Sequence, residues 1–270
     1  MLRGATARLA AAGVPSPRVD AELLLCSVLG TTRTRLLASG PVGAADADRF
    51  REAVRRRERR EPLQHIVGTA PFRHVELAVG PGVFVPRPET ELLVDVVLAL
   101  LPAPAVVVDL CAGSGALALA MAGELPAARV FAVERSASAL GWLRRNTAGA
   151  AVTVVPGDVG DTALLAELAG GVDVVVANPP YVPDGTPVPA EVLADPPEAV
   201  FAGPDGLAVI PHVLARAGDL LRAGGALALE HDVSHRDALA RLLARDGRWS
   251  APREHADLTG RPRFTTARRA

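Results

Sequence analysis

The chain has 270 residues, of which 49% are hydrophobic and 22% charged, which is ordinary for a globular protein with a sizeable core. A net charge of −1 neither requires nor excludes a nucleic-acid partner. Two cysteines exclude a disulfide framework and a paired-cysteine zinc site, and the scattered histidines predict no metal centre. The amino terminus lacks the apolar run of a signal peptide, and the most apolar stretch, residues 92–110, is interrupted by Asp95 and by prolines. We therefore expect a soluble, cytoplasmic protein without a membrane span.

Residues 1–62 are expected to form a small helical domain. Apolar residues recur at helical spacing over residues 20–30, which end in a glycine, and residues 46–60 predict a strongly basic helix. The arginine run in that helix could contact nucleic acid. The glutamates interleaved with it favour a solvated helix face instead.

Residues 63–85 are rich in β-branched and aromatic residues with Gly-Pro punctuation, which predicts a hairpin linking two domains. Residues 86–270 alternate short apolar strands with helices, which is typical of a parallel sheet covered on both faces. The predicted fold class is therefore α/β. We predict helices at 89–101, 116–125, 136–148, 206–221 and 235–247, and strands at 105–110, 128–134, 151–158, 172–180, 225–231 and 263–269.

A glycine-rich loop lies between the first of these strands and its helix. Gly113, Gly115 and Ala118 fit the G-x-G-x-x-A pattern of dinucleotide sites, and Glu134 ends the next strand where a ribose-binding acid is expected. S-adenosylmethionine sites share this geometry, so the pattern leaves NAD and S-adenosylmethionine open. Asp109, just ahead of the glycines, would repel a pyrophosphate but would suit an ammonium and a sulfonium. It favours S-adenosylmethionine.

Acidic residues lie at the carboxyl ends of three successive strands of the predicted sheet. Asp158 ends the third strand, after Asp109 and Glu134, and could accept from an adenine amino group with Val159 beside the ring. An isolated aspartate often makes only a turn. Ligands of open α/β sheets, however, bind at the carboxyl ends of the strands, where all three acids are expected.

The fourth strand ends in the sequence Asn178-Pro179-Pro180-Tyr181. Residues that precede proline are held extended, so this corner is stiff. The Asn178 side-chain oxygen and the Pro179 carbonyl can act together as two acceptors, and Tyr181 offers a flat face. Such a site suits a planar NH2 group. A rigid Pro-Pro turn would explain the prolines but not Asn178 or Tyr181, and the stretch alone leaves adenine and glutamine open as substrates.

Five segments together resemble one known family, the HemK/PrmC peptide chain release factor N5-glutamine methyltransferases. The most specific of them is the sequence RPETE at residues 87–91, after the predicted hairpin. The segments are EPLQHIVGTAPF (61–72), FVPRPETELLV (84–94), DLCAGSGALALA (109–120), ANPPYV (177–182) and DPPEAVFAGPDGL (195–207).

The resemblance implies a Rossmann-like, class I methyltransferase domain with a seven-stranded, mostly parallel sheet, S-adenosylmethionine as methyl donor, and a helical substrate-docking domain. The implied substrate is the glutamine of the Gly-Gly-Gln motif of release factors. The resemblance also implies that Arg87, Glu89 and Thr90 line the cavity where the substrate meets the methionine end of the cofactor. The clamp on the substrate would be Asn178, Pro179, Pro180 and Tyr181, and the cofactor contacts would be Asp109, Cys111, Ala112, Gly113, Ser114, Gly115, Glu134, Asp158, Val159 and Asn178.

Three departures from the family pattern affect the expected cofactor contacts. Cys111 stands where glycine is common, and we interpret its thiol as packing rather than as a nucleophile. Glu134 stands where aspartate is frequent, and DPPEAV replaces a motif of the form EP..AL.

The expected partner is a release factor bound by a monomeric enzyme, with no direct nucleic-acid substrate. Two alternatives stay open. One is N5-glutamine methylation of a ribosomal protein. The other is N6-adenine methylation of nucleic acid, although no DNA-recognition domain is visible around a site that would need a flipped base.

Overall fold

The computed structural model describes residues 1–36, 40–101, 103 and 105–270. Pro102 and Pro104, two of the prolines that interrupt the most apolar stretch, lie outside these residues. Backbone contacts divide the chain into two compact units. The helical unit comprises Met1–Thr69 and Val188–Ala194, and the sheet unit comprises Ala70–Pro187 and Asp195–Ala270. Within the described residues, no helix is both long and apolar enough to cross a membrane.

The helical unit packs its helices around a small apolar core. Pro17 begins the second helix, where a missing N–H costs nothing, and Gly30 ends it in the left-handed conformation. Leu9, Leu24 and Phe50 are among the buried side chains. The helices are α1 (Leu2–Ala11), α2 (Pro17–Leu29), α3 (Arg33–Leu36), α4 (Ala44–Glu58) and α5 (Leu63–Val67).

The arginines of α4 are engaged with acidic partners. Arg57 is buried, and its Nε donates to Asp20 Oδ2 at 2.8 Å while its Nη1 donates to Glu191 Oε1 at 2.8 Å. Arg60, just after the helix, also pairs with Glu191. Burial would raise the pKa of Glu191, but its two arginine partners lower it to about 2. Through Glu191, ion pairing therefore holds residues 188–194 against the end of α4 within the helical unit.

The sheet unit follows the predicted alternation of strands and helices. Its hairpin consists of β1 (Thr69–Phe72), whose first residue belongs to the helical unit, and β2 (Val75–Ala78). The remaining elements are α6 (Glu91–Leu100), β3 (Val106–Leu110), α7 (Ala116–Glu124), β4 (Arg129–Glu134), α8 (Ala137–Asn146), β5 (Val152–Pro156), β6 (Val172–Ala177), α9 (Pro197–Val200), α10 (Ile210–Leu220), β7 (Leu221–Glu230), α11 (Arg236–Asp246), β8 (Trp249–Ala256) and β9 (Pro262–Arg269). Short 3-10 turns of this unit cover Pro88–Thr90, Ala166–Leu168 and Val233–His235, and another, in the helical unit, covers Val192–Ala194.

The seven-stranded sheet has the order β5-β4-β3-β6-β7-β9-β8. Neighbours from β5 to β7 run parallel, and β9 is antiparallel to both β7 and β8. Every residue of β6 is buried, as a central strand covered on both faces requires. Separate apolar clusters cover the two faces of the sheet, one built around α6 and α7 and the other around α10 and α11. The prediction of a seven-stranded, mostly parallel α/β sheet is confirmed.

Two elements differ from the sequence prediction. The hairpin is shorter than residues 63–85, because residues 63–67 form α5, which Gly68 ends in the left-handed conformation. Strand β8 was not predicted from its residues: it is largely exposed and contains Pro252, where its register with β9 shifts. A proline at an irregular edge strand is tolerated, but it masks the strand pattern.

Candidate active site

Strand register brings the predicted site residues to one edge of the sheet. Leu110 of β3 pairs with Val133 of β4 on one side and with Ala177 of β6 on the other. Ala177 in turn pairs with Leu229 of β7. The loops that begin at residues 111, 135 and 178 therefore leave the sheet side by side, next to Glu230 at the end of β7. This is the carboxyl edge, where open α/β sheets bind ligands.

Asp109 is buried under the start of α7. Its Oδ2 accepts from the Ala118 backbone N–H at 3.1 Å, whereas its Oδ1 is buried with no hydrogen-bond partner among the described residues. Burial raises the pKa of this carboxyl well above its ordinary value, and the nearby Glu134 adds to the rise. An unpartnered buried oxygen of this kind fits a cationic ligand group, which would favour the charged carboxylate.

Glu134 holds two loops together. Its Oε2 accepts from Gly113 N at 2.8 Å and its Oε1 accepts from Ser136 N at 2.7 Å. Each oxygen keeps a further lone pair that can accept from a ribose hydroxyl. Glu134 is one methylene longer than aspartate, and its carboxylate reaches both backbone N–H groups.

The glycine loop has a left-handed backbone at three positions, Cys111, Gly113 and Gly115. Gly113 has a φ of +57°, and a Cβ added there would meet no atom within 4 Å, so its bare backbone faces open space. Cys111 has a φ of +66°, which is unfavourable for a residue with a Cβ. Burial raises the pKa of the Cys111 thiol, so the thiolate needed for nucleophilic attack is disfavoured. Ala112 donates its N–H to Val133 O, and the Ser114 carbonyl accepts from Asn146, which fixes the rest of the loop.

A cavity of about 450 Å³ lies beside Asp158. Asp158 Oδ1 accepts from Gly160 N at 2.8 Å, and Oδ2 accepts from Arg135 at 3.3 Å; these contacts lower the pKa of the carboxyl. Val159 is buried next to it. Arg135 and Glu198 also line the cavity, and sequence reasoning missed both. Only the position of Arg135 directly after Glu134 could have pointed to it.

Asn178 is oriented by the RPETE segment. Its Nδ2 donates to Thr90 Oγ1 at 3.1 Å, across 88 positions of the chain. Because the amide nitrogen is turned to Thr90, the side-chain oxygen Oδ1 is left on the opposite side of the amide, where it can accept. Thr90 is itself buried, so this contact holds Asn178 against a fixed partner.

Tyr181 makes a contact that the sequence did not predict. Its hydroxyl donates to Glu230 Oε1 at 2.9 Å. Burial and the charge of Glu230 raise the pKa of the Tyr181 hydroxyl well above its ordinary value, so this group keeps its proton. Glu230 lies at the carboxyl end of a predicted strand, one residue before its last, as Asp109 does, and that position was its signal in the sequence.

The motifs that surround the corner in sequence also hold it in the structure. Arg87 forms an ion pair with the buried Asp195, whose Oδ1 accepts from Val85 N at 3.0 Å. RPETE and DPPEAV are therefore joined directly. Gly206 lies so close to the Tyr181 backbone that an added Cβ would come within 2.3 Å of the Tyr181 carbonyl oxygen. Only glycine fits at that position.

His231 and His235 are buried and hydrogen-bonded. The His231 ring contacts Thr265 Oγ1, and His235 Nε2 contacts Asp205 O, both at 2.9 Å. In the part of the chain that the structure describes, no group of three or more His, Cys, Asp or Glu side chains could hold a metal ion.

Comparison with known proteins shows the family to which this chain belongs. Residues 1–68 match the PrmC N-terminal domain, and residues 75–195 match the methyltransferase small domain. A release factor glutamine methyltransferase from Mycolicibacterium smegmatis is 50% identical over 99% of this chain and 96% of its own length. The chain belongs to the release factor glutamine methyltransferase family. Family members from Streptomyces coelicolor (48% identical; 98% of this chain and 96% of that protein) and Deinococcus radiodurans (43%; 100% and 98%) bear the same name.

The fold is that of a class I S-adenosylmethionine-dependent methyltransferase, as predicted. The residues at the carboxyl edge fit this cofactor. Among the residues that the structure describes, Asp109 Oδ1 is a buried oxygen without a partner, suited to an ammonium, and Gly113 presents bare backbone to open space. A cavity lies beside Asp158.

Proposed function

We propose that this chain methylates the side-chain amide nitrogen (N5) of the glutamine in the Gly-Gly-Gln motif of peptide chain release factors. The full-length similarity to release factor glutamine methyltransferases supports the reaction. The observation that carries it is the contact of Asn178 Nδ2 with Thr90, which leaves Oδ1 of Asn178 available as an acceptor. The substrate amide has two N–H groups that need acceptors, and Asn178 Oδ1 can serve as one of them.

In this proposal the Asn178–Tyr181 corner acts as a clamp on the amide. The Asn178 Oδ1 and the Pro179 carbonyl accept its two N–H groups, and the Tyr181 ring lies against its plane. An amide nitrogen is a weak nucleophile because its lone pair is delocalised, so orientation is the main contribution. Positioning of this kind can lower a barrier by roughly 7–11 kcal/mol.

The cofactor residues would hold the donor beside this clamp. S-adenosylmethionine, when bound, supplies an activated methyl group. Asp109 would bind its ammonium, Glu134 its ribose, and Asp158 with Val159 its adenine. Cys111, Ala112, Ser114 and Gly115 would shape the loop whose backbone approaches the donor at Gly113. These roles rest on the register of β3, β4 and β5, whose carboxyl ends lie side by side.

No strong base is required next to the substrate nitrogen. A methylated amide that still carries its extra proton is very acidic and releases it to water. Tyr181 retains its own proton, so it contributes a face and a hydrogen bond to Glu230 rather than a base.

We also propose that the helical unit binds the release factor at a surface outside its Gly-Gly-Gln loop. In this proposal the enzyme acts as a monomer in the cytoplasm. The match of residues 1–68 to the PrmC N-terminal domain supports a family-specific role for this unit. The arginines of α4 are paired with acids, including Arg55 with Glu52 and Arg57 with Asp20. This pairing favours a protein partner over the phosphates of a nucleic acid.

The test is transfer of radiolabelled methyl groups from S-adenosylmethionine to three acceptors. These are a purified release factor, the same factor with Gln→Ala in its Gly-Gly-Gln motif, and duplex DNA. We expect label on the unaltered factor alone. Equal labelling of the altered factor, or labelling of DNA, would refute the proposal.

A further inference from the structure

Glu230 is a buried acid at the active-site edge to which the reaction assigns no part. It is the last residue of β7 and is 1% exposed. Its strand neighbour Leu229 pairs with Ala177, so Glu230 and Asn178 leave adjacent strands at the same level. A buried carboxyl in this position costs free energy unless it has partners, which raises the question of what it holds.

Both polar side chains of the clamp lead to this carboxyl. Tyr181 donates its hydroxyl to Glu230 Oε1 at 2.9 Å. The Thr90 hydroxyl faces the same carboxyl and stabilises its charged form, although Oε2 has no partner of full hydrogen-bond geometry among the described residues. Thr90 Oγ1 in turn accepts from Asn178 Nδ2 at 3.1 Å. The Glu230 carboxyl thus holds Tyr181 directly and faces Thr90, the residue that holds Asn178.

The charge state of Glu230 decides whether it can serve both hydroxyls. A carboxylate only accepts hydrogen bonds, so it can accept from the Thr90 and Tyr181 hydroxyls together. A neutral carboxyl carries a proton and must donate one hydrogen bond itself. Burial raises the pKa of Glu230 to about 7, with the two hydroxyls opposing the rise. The charged groups that face it are Arg263 on β9, which lowers the pKa, and Glu89 in the 3-10 turn, which raises it.

The adjacent histidine takes no part in this arrangement. His231 contacts Thr265 Oγ1 instead. The Tyr181 hydroxyl keeps its proton, because burial raises its pKa well above the ordinary value. Glu230 is therefore the group in this cluster whose charge changes near neutral pH.

We propose that Glu230 is the positioning residue of the clamp: its carboxylate aligns Asn178 and Tyr181 for the substrate amide, and its protonation misaligns them. This inference rests on the proposed methyl transfer to glutamine and deepens it. Glu230 acts through Tyr181 and Thr90 and does not itself touch the substrate.

The test compares three variants in methyl transfer to a purified release factor from pH 6 to 9, with cofactor affinity measured by equilibrium dialysis. Glu230→Ala removes both acceptors. Glu230→Gln keeps an oxygen for Tyr181 but cannot accept from Thr90 at its amide nitrogen. Asp173→Asn is the matched control, because Asp173 is another buried acid of the same sheet but starts β6 at the opposite edge, where it pairs with Arg222.

We expect kcat of the wild type to rise with pH to a plateau, with a midpoint near 7, as Glu230 ionises. Glu230→Ala should lower kcat at pH 8 by about 100-fold, in line with the loss of the acceptor that aligns Tyr181. Glu230→Gln keeps that acceptor but loses the charge that faces Thr90, and should lower kcat by about tenfold. Both variants should lose the step near pH 7 and keep the cofactor dissociation constant within about twofold. Asp173→Asn should keep the wild-type pH profile.

Thermal unfolding gives a second measure of the ionisation. The folded pKa of about 7 lies above the ordinary value of 4.5, so stability contributed by the neutral form is present below pH 4.5 and is lost as the pH rises through 7. Glu230→Gln should remove that part of the decline in Tm between pH 5 and 8.

Some outcomes separate the two proposals. If the wild type and the Glu230 variants label the release factor at the same rate, the positioning role alone is overturned. So would a variant that weakens cofactor binding as much as it lowers kcat, since that is a general structural loss. A wild-type enzyme that labels no release factor would overturn both.

Discussion

The two halves of the active-site edge are held by different kinds of contact. In the cofactor half, at the ends of β3, β4 and β5, carboxylates accept from backbone N–H groups within about ten positions in the chain, such as Ala118 to Asp109 and Gly160 to Asp158. In the clamp half, at the ends of β6 and β7, side chains from distant segments meet, such as Asn178 with Thr90. The cofactor half is thus a set of local loops, whereas the clamp half is an assembly of separate motifs.

This difference predicts how each half responds to substitution. A local loop with backbone partners loses one contact when one side chain is changed. In the clamp half, each side chain also holds the next one, so a single change disturbs several contacts. Substitutions in the clamp should therefore act on the rate of transfer, and those in the cofactor half on affinity for the donor.

The largest expected effect is that of Asn178→Ala, which removes an acceptor for the substrate amide. Loss of one preorganised hydrogen-bonding group at a reacting centre costs on the order of 100- to 1000-fold in kcat. We expect a loss in that range in single-turnover methyl transfer, with cofactor affinity almost unchanged. Full activity of this variant would show that Asn178 is not part of a clamp.

A smaller effect, on stability, is expected where RPETE meets DPPEAV. Asp195→Ala leaves Val85 N–H without its acceptor and Arg87 without its partner, which should lower the free energy of unfolding by about 1–3 kcal/mol. Asp195→Asn keeps an acceptor for Val85 and should lose less, because burial raises the pKa of Asp195 and its charge is costly to bury. Urea denaturation measures both variants. Equal losses would show that the ion pair, rather than the backbone contact, matters.

Asp109→Asn tests the cofactor half. The variant keeps an acceptor for Ala118 N–H but removes the charge expected to bind an ammonium. We expect the dissociation constant for S-adenosylmethionine to rise by about tenfold, equivalent to about 1.4 kcal/mol. The value of kcat at saturating cofactor should change by less than twofold. An unchanged dissociation constant would mean that Asp109 Oδ1 does not face the ligand.

Cys111→Gly should have the smallest effect. Glycine relieves a left-handed backbone that costs a residue with a Cβ about 1–2 kcal/mol, but it also makes the unfolded chain more flexible. The two effects oppose each other, so the free energy of unfolding should change by less than about 1 kcal/mol, with activity retained. A tenfold loss of activity would contradict the interpretation of the thiol as packing.

The fold was largely predictable because most of its strands and helices carry regular apolar patterns. The strand at residues 172–180 and the helix at 116–125 agree with β6 and α7 apart from their ends. β8 escaped prediction because an exposed edge strand needs no apolar alternation. The seventh strand was expected only through the family resemblance.

Predictability of the site follows the same division as its contacts. Asp109, Glu134 and Asp158 could be found because each lies at the carboxyl end of a predicted strand. The link from Tyr181 to Glu230 spans 49 positions and joins a loop to the end of β7, so no local pattern encodes it. The family resemblance implied that RPETE lies near the substrate, but only the structure shows that Thr90 orients Asn178.

The clamp contains the single tyrosine of the chain, Tyr181. A protein grown with ring-labelled tyrosine would therefore give one set of tyrosine signals in an NMR spectrum, and all of them would come from the active site. Because the hydroxyl donates to Glu230, a proton gained by that carboxyl would shift the signal of the ring carbon that bears the oxygen. The chain thus carries a built-in, site-specific probe of its own clamp, which needs neither a tag nor a substitution.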